Sequence, residues 1–97
     1  MDIRVSPRAL GYLRDRQVSA VTFYLVDIET TGSIGAVREI GVRLAPPGRP
    51  ENFKYDRAEG FDIYVDPRLE ITEPIVIKKQ GFWKLASLYA DGLHFRV

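Results

Sequence analysis

Two carboxylates standing two residues apart, Asp27 and Glu29, are the first side chains in this sequence whose types and spacing could do chemistry. On a strand, residues i and i+2 leave from the same face, so both acids point to one side. Oxygens paired in that way suit a hard divalent cation. Three residues on, Gly32-Ser33-Ile34-Gly35 forms a small-residue loop. Such a loop offers backbone N–H groups to an anion, although neither a lysine nor a helix N-terminus follows it here. Ser33 and His94, the single histidine, could form a nucleophile–base pair, but nothing local marks Ser33 as activated. One histidine without cysteine makes no transition-metal site unaided, so His94 is expected at an ordinary surface position. No residue is assigned a catalytic role.

The elements that must position these groups are legible around them. Val21 to Ile28 is β-branched and aromatic almost throughout and reads as a strand. Val21, Phe23, Leu25 and Asp27 share one face; Thr22, Tyr24, Val26 and Ile28 share the other. Both faces are largely apolar, which predicts a central strand. Thr30 to Gly35 is the turn, and Val37 to Leu44 is the return strand with Ile40, Val42 and Leu44 on one side. Before this pair, Ile3 to Val5 is extended, and Ser6-Pro7 opens a helix. Ser6 caps it, and Pro7 suits the first helical position because its missing N–H would be unpaired there anyway. Ala9, Leu10 and Leu13 form its buried stripe, Val5 and Leu10 sit where a hydrophobic staple would, and the helix should end near Arg16 or Gln17.

After the hairpin, Ala45-Pro46-Pro47-Gly48-Arg49-Pro50 is a stiff surface loop. Phe53 to Tyr55 reads as a short edge piece. Phe61 to Val65 alternates, with Phe61, Ile63 and Val65 inward and Tyr64 outward, and Asp66-Pro67 breaks it. Ile75 to Ile77 is a further strand and Trp83 to Tyr89 another. Asp91-Gly92 has the chemistry of a two-residue hairpin turn into His94 to Val97. Phe82 and Trp83 are expected in the core or at an interface rather than as a base-stacking platform.

Composition narrows the function classes. The 97 residues fit one domain, 1–97, and 45% apolar with 28% charged residues is ordinary for a soluble globular chain. A formal net charge of +1 with interleaved signs gives no basic field for nucleic acid. Lys78-Lys79 is the one dense basic pair and is expected at a strand end in water. No apolar run approaches the roughly 20 residues that span a bilayer. The start Met1-Asp2-Ile3-Arg4-Val5 lacks a signal peptide's apolar segment, so a cytoplasmic address and no membrane contact are expected. The absence of cysteine removes disulfides and thiolate metal sites.

Two resemblances follow from these residues. Val26-Asp27-Ile28-Glu29-Thr30-Thr31-Gly32, with Glu39-Ile40-Gly41 after the turn, resembles the first motif of the DEDD-type 3′–5′ exonucleases. That resemblance implies metal ions held by Asp27 and Glu29 for phosphodiester hydrolysis by two metals. The family's further acids, its general base and its later helices are not found here, and a capped helix precedes the motif strand.

Over nearly its full length the chain resembles the HesB-like, A-type iron–sulphur cluster carriers (IscA-like). The matching stretches are Ile3 to Ala9, Val21 to Leu25, the loop Thr31-Gly32-Ser33-Ile34-Gly35, and Gly60 to Pro67. This resemblance implies a HesB-like compact β assembly. It places the family's first cluster ligand at Ser33, within Gly32 to Gly35, and its other two ligands in a Cys-x-Cys tail that does not follow in this sequence. A serine hydroxyl does not deprotonate near neutral pH as a thiol can and is a poor soft-metal ligand, so no cofactor is expected.

The fold expected is mainly β with one N-terminal α-helix, α+β in class. The function expected is a non-enzymatic binding or assembly module that resembles the carriers without holding a cluster. It would act through a protein partner or self-association, with no nucleic acid. The alternatives are a metal-dependent exonuclease-like fragment using Asp27 and Glu29, and a purely structural or regulatory subunit.

Overall fold

The computed structural model describes residues 1–29 and 36–96, the side chains of Ile28, Glu29, Ala36, Val37 and Trp83 excepted. The described chain is mainly β, with one short N-terminal helix and two mixed sheets. Strand β1 (Ile3–Val5) leads into helix α1 (Pro7–Asp15). Ser6 caps the helix as its sequence predicts: its Oγ accepts from the Ala9 N–H at 3.2 Å, and Pro7 takes the first helical position. Ala9 and Leu13 are fully buried. The helix stops at the Arg16 cap, and Gln17 takes φ 55°, a left-handed residue that ends the run.

Strands β2 (Ala20–Glu29) and β3 (Ala36–Arg43) pair antiparallel. On its other side β2 runs parallel to β5 (Phe61–Val65), and β4 (Lys54–Ala58) closes the edge antiparallel to β5. The order β3-β2-β5-β4 makes β2 an interior strand, as its two apolar faces predict. The second sheet is β1-β6-β7, with β6 (Glu70–Gln80) parallel to β1 and antiparallel to β7 (Ser87–His94). One core lies between the sheets and under α1. Val21, Phe23, Ile63 and Val65 enter it from the first sheet, Ile75, Ile77, Leu88 and Leu93 from the second, and Ala9 and Leu13 from the helix. No helix among the described residues is long and apolar enough to cross a membrane.

The C-terminal third differs from its sequence reading. Asp91-Gly92 is not a hairpin turn but lies inside β7, and the strand expected over His94 to Val97 does not form within the described residues. Gly92 has φ 93°, and a Cβ there would meet the carbonyl oxygens of Thr72 at 2.5 Å and Pro74 at 2.8 Å. It sits opposite the stretch between Ile71 and Val76 where the β6–β7 register shifts. An irregular backbone needing a glycine mimics a turn in the sequence. That same stretch admits Pro74 to the centre strand of its sheet, because a proline lacks the N–H that a regular ladder would use. The real turn between β6 and β7 lies earlier, at 81–86, and includes a short 3-10 turn over Trp83–Leu85 where a strand was expected.

The proline-rich loop is also more than surface. Pro47 is buried, and the Thr22 hydroxyl donates to the Ala45 carbonyl at 2.7 Å. The loop thus folds back over the outer face of the four-stranded sheet.

Candidate functional site

Strand β5 pairs with β2 only from Ala20 to Phe23, while β2 runs on to Glu29, which leaves the Leu25 N–H and C=O facing an edge that β5 does not reach. Asp66 and Arg68 take the place of the missing strand. The Asp66 N–H donates to the Phe23 carbonyl at 2.9 Å. The Leu25 N–H donates to Asp66 Oδ2 at 3.1 Å, and Arg68 Nη2 donates to the Leu25 carbonyl at 3.2 Å. Arg68 also grips the Asp66 carboxylate through Nη2 at 2.8 Å and Nε at 3.1 Å, a bidentate fork. Asp66 is 3% exposed. The hydrogen bonds from the Arg68 guanidinium, helped by the backbone N–H groups of Arg68 and Leu25, outweigh burial and hold its carboxyl down to about 2.

The Asp27 carboxylate joins the outer side of this network. Arg38, its cross-strand partner on β3, reaches Oδ1 with Nε at 2.9 Å, and Arg68 Nη1 lies 3.9 Å from Oδ2. Arg38 Nη1 also donates to the Arg96 carbonyl at 2.8 Å. A cation at Asp27 would have to displace a guanidinium that is already in contact. Among the described residues no three His, Asp or Glu side chains group as a metal site. The Glu29 side chain and the loop residues Gly32, Ser33 and Gly35 lie outside what is described. His94 is exposed on β7, where it pairs with Glu70 in the ladder.

Two clefts adjoin these elements. The first, of about 440 Å³, lies between the proline-rich loop and the outer face of the four-stranded sheet. Thr22 and Tyr24 contribute from β2, Arg43 from β3, Pro47 and Phe53 from the loop, and Asp66 with Arg68 from the strand-end clamp. The Tyr24 ring lies across Gly41, so closely that a Cβ there would be 2.4 Å from the ring Cζ. The second cleft, of about 380 Å³, runs between α1 and the β6–β7 hairpin. Arg8, Tyr12 and Arg16 line it from the helix side and Lys79 from β6, with Asp15 the acid among them. The Arg16 guanidinium stacks 4.3 Å from the Tyr12 ring centroid, and the Tyr12 hydroxyl donates to the Ala86 carbonyl at 3.4 Å.

Ala86 leads straight to the hairpin tip. There Phe82 and Leu85 are 76% and 83% exposed. The turn has a defined shape: the Leu85 N–H donates to the Phe82 carbonyl at 3.2 Å, and Gly81 holds φ 70° with the Leu85 carbonyl 2.5 Å from where a Cβ would stand. The sequence does place Phe82 at a core or interface; its exposure decides against the core.

The residues lining both clefts escape a search for reactive side chains. Arg8, Tyr12 and Arg16 did carry a signal, the i, i+4, i+8 spacing of one helix face. Tyr24 and Arg43 are brought together by the β2–β3 pairing, whereas Phe53 carried no signal, since a loop fold-over brings it to them.

The chain belongs to the CC/Se motif containing family, whose family model matches residues 1–93. No curated protein and no solved structure matches it. The membership corrects the expectation of a HesB-like iron–sulphur carrier relative, which no match supports. That expectation rested on a capped helix, a glycine loop and a strand ending in aspartate. The structure gives two of these local work in this fold: Ser6 satisfies a helix N-terminus, and Asp66 satisfies the open edge of β2. Features required by such general physics recur without common descent. The family is named for a CC/Se motif, and this sequence holds no cysteine.

Proposed function

We propose that the chain is a non-enzymatic binding module that docks an acidic, apolar segment of a partner protein at the tip of the β6–β7 hairpin. The observation that carries this reading is the exposure of Phe82 and Leu85 together on a turn of defined shape. Burying one large apolar side chain is worth about 1.5–3 kcal/mol, and here two on one turn are left in water. The charge beside them favours an acidic partner. Arg8, Arg16 and Lys79 line the adjoining cleft with Asp15 as the acid among them, and none of the three basic groups has an ion pair among the described residues. Asp66 and Asp27 are engaged in structure, the first by Leu25 and Arg68 and the second by Arg38.

The test is comparative. Immobilised wild-type protein and the Phe82→Ser/Leu85→Ser variant are exposed to lysate of the source cells, and a protein retained by the first alone is purified and its binding remeasured. The reading expects affinity at least about tenfold weaker for the double variant and weakening as salt rises from 50 to 300 mM. Equal binding to both proteins sinks it. So does a wild-type dimer in light scattering that the double variant dissolves, since a second copy would then be the occupant.

A further inference from the structure

We propose that the cleft between the proline-rich loop and the outer face of the four-stranded sheet binds a small aromatic anion, a flat ring bearing a carboxylate or phosphate group. Its volume of about 440 Å³ lies within the range of small-molecule sites. Aromatic and apolar walls come from Tyr24, Phe53 and the buried Pro47. Tyr24 is fixed against Gly41, which leaves no room for a side chain beneath the ring. A flat, pre-positioned aromatic face favours a flat ligand at low ordering cost.

The charge balance supplies the other half. Arg68 is committed to Asp66, the Leu25 carbonyl and Asp27. Arg43 is different: it lies in the same cleft, and among the described residues it has no ion pair or side-chain hydrogen bond. With Asp66 ionised and matched to Arg68, Arg43 leaves one positive charge over at the exposed side of the cleft. The Tyr24 hydroxyl likewise has no hydrogen-bond partner among the described residues. A guanidinium and a phenol beside an aromatic wall are the donors that a ring-borne carboxylate or phosphate requires. This site is separate from the hairpin tip, so it stands or falls independently of the docking reading.

The test titrates benzoate and phenyl phosphate into isotope-labelled full-length protein and follows the backbone amide resonances. The anions are expected to bind with Kd on the order of 1 mM, as fragments of their size do. The shifts should cluster at Thr22 to Leu25 and Arg43 to Phe53. Arg43→Gln should weaken both about tenfold, and Gly41→Ala, which displaces the Tyr24 ring, should weaken them several-fold. Phenol, which has the ring alone, and inorganic phosphate, which has the charge alone, should each bind at least about fivefold less tightly than phenyl phosphate. The proposal is overturned if neither anion moves these resonances at 10 mM, if phenol or inorganic phosphate binds as well as phenyl phosphate, or if Arg43→Gln leaves the affinity unchanged.

Discussion

Replacing Asp66 by asparagine keeps the size of the side chain and an oxygen for the Leu25 N–H, but removes the charge that Arg68 grips from two directions. The carboxyl is held at about 2 in the folded chain against an ordinary 3.8. A folded-state value below the unfolded one means the charged form stabilises the fold. That stabilisation is fully present above the unfolded value and is lost as pH falls through the folded one. At about 1.4 kcal/mol per pH unit the separation amounts to about 2 kcal/mol at pH 7. By pH 2.5 the wild-type carboxylate has given up more than half of it, leaving less than about 1 kcal/mol. The assay is urea unfolding of wild type and Asp66→Asn at pH 7 and pH 2.5, followed by circular dichroism. With a slope of about 1 kcal/mol per molar urea, the midpoints should differ by about 2 M at pH 7 and by less than half of that at pH 2.5. A gap that stays constant between the two pH values, or a gap below about 0.5 kcal/mol at pH 7, would show that Asp66 does not hold the β2 edge through its charge.

Other perturbations read the remaining contacts. Gly41→Ala should cost about 1–3 kcal/mol because its methyl group would strike the Tyr24 ring, and adding Tyr24→Ala should recover part of that loss in a double-mutant cycle; additive losses would place the clash elsewhere. Gly92→Ala should destabilise by at least about 2 kcal/mol, since both its φ and the carbonyls of Thr72 and Pro74 oppose a side chain. Gly11→Ala should act the other way, raising stability by up to about 1 kcal/mol, because nothing lies within 4 Å of the new methyl group in the helix; thermal melts decide both. Ser6→Ala should cost about 1 kcal/mol through the lost bond to the Ala9 N–H, measured by the same melts.

The sequence was informative where structure is decided locally. Ser6 and Pro7 announce a helix start because capping uses neighbours three residues apart, and the cap forms as expected. The two apolar faces of Val21 to Ile28 announce an interior strand because a period of two sorts side chains by face, and β2 lies between β3 and β5. Phe61, Ile63 and Val65 point inward for the same reason and are all buried. Where a residue answers to a distant partner, its type misleads. Gly92 has a turn's chemistry, yet it serves a register shift against carbonyls of residues 72 and 74. Asp66 reads as a strand breaker, yet its carboxylate completes the ladder of a strand some forty residues earlier. Asp27 reads as a metal ligand, and cross-strand pairing sets Arg38 against it.

By itself, then, the sequence determined the class: a capped helix, then strands, with inward faces fixed by alternation and no thiol chemistry available. Only the tertiary structure decided that these strands divide into two sheets, that Asp66 and Arg68 stand in for a missing strand, and that Phe82 and Leu85 are carried outward. Pairing of β2 with β3 sets Arg43 near Tyr24, and only the fold-over of the proline-rich loop brings Pro47 and Phe53 to them. Those outcomes depend on pairings between residues far apart in the chain, and neither periodicity nor local propensity records which distant backbone groups will meet.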